Sequence, residues 1–119
     1  MKKTRVIVLL LVLALSISFA SVPGQDDVKI WKEFVALLKE DALPQDRIRP
    51  VDPLTPESQL TLLKNFAKGA NWAEWEVIPE IVHYENLVSF IVTLGKHRNS
   101  PWAYTFNFVI EDGQWYYRF

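Results

Sequence analysis

The chain of 119 residues contains no cysteine. Disulfide bridges, thiolate metal centres and a cysteine nucleophile are therefore excluded. Histidine is scarce as well. Only His83 and His97 are present, and His97 stands in a polar stretch, GKHRNSP. Two separated histidines without thiolates make no zinc site, and no Asp-rich run with a terminal Glu offers a calcium loop. The four glycines are too dispersed for a phosphate-binding loop. No metal and no cofactor is expected. Basic excess is also missing, with 13 Lys plus Arg against 14 Asp plus Glu and a formal net charge of −1. Nucleic acid calls for a basic face, so no nucleic-acid partner is expected.

Long apolar runs are few. The single clear one, VIVLLLVLALSI at residues 6–17, follows the basic Lys2, Lys3 and Arg5 and precedes Ser18-Phe19-Ala20. It falls short of the ~20 residues that a membrane span needs. A basic start, a short apolar run and small residues at the cut describe a secretory signal peptide over residues 1–20. A single domain then occupies residues 21–119, secreted or periplasmic, with no membrane association after cleavage. Without a cysteine near the cut, the bacterial lipoprotein route is closed. Loss of three cations leaves 10 Lys plus Arg against 14 acids.

What the domain does have is aromatic mass: five Trp, four Tyr and six Phe beyond residue 20. Aromatics bury much area per residue. A domain of ~100 residues hides roughly 60–70% of the surface its unfolded chain exposes. Packing alone can thus replace the absent disulfides.

The aromatics concentrate in AYTFNFVIEDGQWYYRF, residues 103–119, which reads as a hairpin closed by Asp112-Gly113. A two-residue turn sets Glu111 opposite Gln114, Ile110 opposite Trp115, Phe108 opposite Tyr117 and Phe106 opposite Phe119. These last three pairs share one apolar face. The other face holds Val109 with Tyr116 and Asn107 with Arg118, and a slip of one residue would expose the aromatics. Residues 72–84 and 87–96 read as two further strands around Glu85-Asn86. Tyr84 then faces Leu87, His83 faces Val88, Ile81 faces Phe90, Pro79 faces Val92 and Val77 faces Leu94. Pro79 donates no ladder hydrogen bond, which puts that strand at an edge or in a bulge.

Upstream the period is helical. Trp31, Phe34, Val35, Leu38 and Ala42 mark an amphipathic helix over about residues 27–41, with Asp26 and Asp27 at its start. Thr55-Pro56-Glu57 opens a second helix, stopped by Gly69. Its buried stripe runs through Leu60, Leu63 and Ala67 on one edge and Leu62 and Phe66 on the other. Between the helices, LPQDRIRPVDPLT carries Arg47 and Arg49, either as solvated loop cations or as a small anion-binding lip.

The expected fold is α+β: two N-terminal helices packed on a curved four-stranded antiparallel meander sheet, preceded by the signal peptide. The helix VKIWKEFVALLKED, the capped helix TPESQLTLLKNFAKG and the closing hairpin FNFVIEDGQWYY resemble the nuclear-transport-factor-two-like, or cystatin-like, superfamily. The resemblance implies a sheet wrapped around the first helix, a pocket between them and sheet-face dimers. It also implies that some members are enzymes with a His and an acid inside the pocket.

The inner face would hold Trp75, Val77, Ile81, His83, Tyr104, Trp115 and Tyr117 among apolar neighbours, and the strand acids Glu74, Glu76 and Glu80 would face outward. His83 then lacks an acid to orient it, which makes a poor general base, so no catalytic residue is assigned. His83, Tyr104, Trp115 and Tyr117 are the candidate ligand-binding residues, forming a small apolar pocket with polar handles. The alternative is a filled core with polar tips reaching water. The expected function is a non-enzymatic exported domain binding a small apolar ligand or a partner protein. Two alternatives stand beside it. One is a hydrolase- or isomerase-type pocket enzyme using His83 with Tyr104 or Tyr117. The other is a homodimer through the outer sheet face around Ile91, Val109 and Tyr116.

Overall fold

The computed structural model describes residues 23–118. The expected signal peptide and the pairing of Phe106 with Phe119 lie outside the described residues. Helix α1 spans Pro23–Lys39, strand β1 Ile48–Arg49, helix α2 Pro56–Ala67 and the single helical turn α3 Trp72–Trp75. Strands β2 (Glu80–Tyr84), β3 (Leu87–Leu94), β4 (Trp102–Glu111) and β5 (Gln114–Arg118) follow. The sheet order is β1-β5-β4-β3-β2, with both edges open. Among the described residues, no helix is long and apolar enough to cross a membrane.

The protein is thus α+β, with two corrections to the expected architecture. The sheet has five strands and is mixed, because β1 adds in parallel to β5, Ile48 opposite Tyr117 and Arg49 opposite Arg118. This strand comes from the proline-rich connection, which has its own structure. Ile48 is buried there. The Arg47 guanidinium lies 4.1 Å from the Trp115 ring centre, and that of Arg49 lies 3.6 Å from the Tyr116 ring centre. Arg49 also pairs with Glu111 at 2.9 Å. Both cations fasten the edge strand by stacking on rings.

The second correction is α3. The stretch expected to extend β2 back to residue 72 instead forms a helical turn, and β2 begins at Glu80. The reason is local. The Asn71 side chain caps the turn by accepting from the Ala73 N–H, and Pro79 has no N–H to offer a ladder. Trp75 still reaches the core, but Val77 is exposed and the pairs Pro79–Val92 and Val77–Leu94 do not form. Glu74 and Glu76 do not lie on a strand face. Glu76 pairs with Lys39 of α1.

The β2–β3 and β4–β5 registers follow the turns. His83 faces Val88, Ile81 faces Phe90, Phe108 faces Tyr117 and Ile110 faces Trp115. Asp112 and Gly113 have φ of 51° and 78°, the left-handed pair that a twisted two-residue hairpin requires. Helix α2 opens on a reciprocal capping box between Thr55 and Ser58 with proline at the first turn.

Both long helices cover the same sheet face. Phe34 of α1 packs edge-on against Phe108 at 4.9 Å and stacks on Tyr117 at 5.5 Å. Trp31 stacks on Trp75 at 6.2 Å and donates its indole N–H to the Trp75 carbonyl at 2.7 Å. Each fully buried aromatic of this kind contributes ~1.5–3 kcal/mol by removal from water. Five aromatics that ring Phe34, at 4.9 to 6.2 Å between centres, replace the cross-links that the chain lacks.

Candidate functional site

Helix α2 does not bury its whole apolar surface. Gln59, Leu62, Leu63 and Phe66 recur at i, i+3, i+4 and i+7, so they form one stripe. The stripe faces Tyr104 and Phe106 of β4 and Tyr117 of β5 across a groove of about 410 Å³. That volume lies within the ~300–1,000 Å³ range of small-molecule sites. Leu62 is 54% exposed and Phe66 44%, so they form the lip. Phe66 meets the Tyr104 ring edge-on at 5.0 Å.

One member of the stripe breaks the apolar rule. Gln59 is only 2% exposed, and neither its amide oxygen nor its amide nitrogen has a hydrogen-bond partner. An unpaired buried amide costs ~1–3 kcal/mol, so an apolar residue would serve the isolated fold better. The groove therefore combines apolar walls with a polar group whose hydrogen bonds are unmade. Tyr117 adds a phenol whose pKa burial pushes up to about 12, so it is neutral.

The four sequence-derived candidates separate. Tyr104 and Tyr117 line this groove; His83 and Trp115 do not. Trp115 is committed elsewhere. Its indole N–H donates to Glu33 at 2.8 Å, and its carbonyl accepts from Arg47 Nε at 2.8 Å. His83 does have an acid, contrary to expectation, and it comes from α1 rather than the sheet. Nδ1 lies 2.9 Å from Asp27 Oδ2, and Nε2 lies 2.9 Å from the Glu85 carbonyl oxygen. A carbonyl only accepts, so Nε2 carries a proton, and the carboxylate draws a second proton to Nδ1. The hydrogen bond to Asp27 raises the His83 pKa above its usual value, with charge attraction and the Glu85 carbonyl adding and burial opposing. In this arrangement both ring nitrogens are engaged, and His83 is not among the residues that line the groove. It ties β2 to α1, where Asp27 is 2% exposed with Oδ1 unpartnered.

A second histidine–acid pair is absent from the expected set because Glu74 was placed on a strand. On α3, Glu74 accepts from the backbone N–H of Gly95 and of Lys96, and its Oε1 lies 3.2 Å from His97 Nδ1. These backbone hydrogen bonds, the Gly95 one foremost, hold its carboxyl below the usual range. Among the described residues, no cluster of His, Cys, Asp and Glu could hold a metal ion.

No family model, curated protein or solved structure matches this chain.

Proposed function

We propose that the protein is an exported, non-enzymatic domain that binds a small apolar ligand in the groove between α2 and strands β4 and β5. The observation that carries this reading is Gln59, a buried amide with both hydrogen-bonding atoms unpaired in an otherwise apolar groove. A filled core would select against such a group, and a ligand that reaches beneath the apolar floor supplies its partners. The aromatic lip gives contact area, and the neutral Tyr117 phenol gives a second polar handle. Membership of the nuclear-transport-factor-two-like superfamily is part of this proposal. It is supported by the element order, with two long helices ahead of an antiparallel meander.

The test is titration with a neutral naphthalene dye whose emission rises in apolar surroundings. Dye should bind the wild type, and Phe66→Glu, which places a charge on the exposed lip, should weaken it at least tenfold without loss of folding. Equal dye binding by both proteins would sink the reading.

A second reading, a homodimer through the outer sheet face, draws on the exposed Val82, Tyr84 and Leu87. That face is interrupted by the Ser89–Asn107 hydrogen bond at 2.7 Å, which makes it the lesser candidate.

A further inference from the structure

The two ends of the groove specify a ligand class, and this step rests on the groove being a binding site. Phe66 and Tyr104 are shared with a second, smaller hollow of about 250 Å³, so the two adjoin. The second hollow is polar. Lys68 and Arg98 line it, and neither side chain has a partner among the described residues. Its one lining carboxylate, Glu74, is already occupied by Gly95, Lys96 and His97. The C-terminal end of α2 brings roughly half a negative charge, and Lys68, its C-cap residue, stands there to offset it. Lys68 and Arg98 against Glu74 and the helix end leave roughly half a positive charge, which suits an anion.

At the far end stands Gln59. Its amide offers one acceptor and two donor hydrogens. A peptide group returns both a carbonyl and an N–H, whereas a hydrocarbon tail returns neither. Lys68 follows Gln59 by nine positions. At 1.5 Å rise per residue that is ~13 Å along the helix. An extended peptide covers such a span in about four residues. We propose that the groove takes the carboxy-terminal end of an apolar peptide. The free carboxylate sits by Lys68 and Arg98, where the guanidinium can grip both oxygens. Apolar side chains pack on Leu62, Phe66 and Tyr104, and a backbone amide pairs with Gln59.

The experiment measures anisotropy of an amino-terminally labelled Leu-Phe-Leu-Leu peptide on the purified protein. The same peptide ending in a carboxamide, dodecanoate and the neutral dye serve as comparisons. The free acid should bind about tenfold tighter than the carboxamide, the equivalent of ~1.4 kcal/mol. The pair of changes Lys68→Glu and Arg98→Glu should abolish that difference. Gln59→Leu should weaken both peptides. Equal affinity for acid and carboxamide would overturn the peptide-terminus proposal while dye binding keeps the groove reading. Tighter binding of dodecanoate than of either peptide would also overturn it, in favour of a fatty acid. Failure of every compound, dye included, would remove the groove reading itself.

Discussion

Replacing His83 by leucine strips a buried carboxylate of its one partner among the described residues. Asp27 is 2% exposed, its Oδ1 is already unpaired, and Oδ2 is held by His83 Nδ1 at 2.9 Å. Breaking a buried ion pair from one side costs ~3–5 kcal/mol. The His83 side chain is 34% exposed. Water can therefore approach from that side, which lowers the expected loss to about 2–3 kcal/mol. The double change Asp27→Leu with His83→Leu removes both polar groups and should return stability to within about 1 kcal/mol of the wild type. Urea unfolding followed by tryptophan fluorescence reads all three proteins. The pH dependence adds a signature. Because the folded pKa of His83 is raised above its usual 6.5, its contribution is fully present below pH 6.5. It is lost as pH rises through the folded pKa, so the gap between wild type and His83→Leu should narrow with rising pH. If the single and double variants are equally stable, or the gap widens with pH, the paired-imidazolium account of His83 is wrong.

Two further outcomes follow from local geometry. Gly95 has φ of +91°, and a Cβ there would stand 2.3 Å from the Ser100 carbonyl oxygen. Gly95→Ala should cost at least about 1–3 kcal/mol from the left-handed backbone alone. Because Gly95 and Lys96 hold Glu74, it should also disturb the His97 ring signals in NMR spectra. Thr55→Ala removes the cap from α2 and should cost ~1 kcal/mol in thermal or urea unfolding, with dye binding in the groove weakened only as far as the helix frays.

Where a two-residue turn joined the strands, the sequence was read correctly. Asp112-Gly113 forced both central residues to positive φ, and the aromatic alternation admitted one register. The Glu85-Asn86 turn, with Glu85 at positive φ, set the β2–β3 register as far back as Ile81. Capping chemistry placed the start of α2 for the same reason, since Thr55, Pro56 and Ser58 act within one turn. What escaped were contacts between distant residues and patterns with two meanings. Trp72 to Val77 alternates like a strand, yet Asn71 caps it into a helical turn and Pro79 denies it a ladder. β1 is two residues long and is held by Arg47 and Arg49 stacking on rings far along the chain. Asp27 looked like a helix-start acid, and its partner lies 56 residues away. Gln59 reads as an ordinary polar position of α2, and only its burial beside Leu63 and Tyr117 shows that its amide is unpaired.

The central claim is that the α2–β4–β5 groove takes an apolar ligand. The most direct measurement is a titration of backbone amide NMR signals with the neutral naphthalene dye. The account predicts shifts concentrated at Gln59, Leu62, Phe66, Tyr104, Phe106 and Tyr117. Shifts concentrated instead at Val82, Leu87, Ile91 and Val109 on the outer sheet face, or none at all, would contradict it.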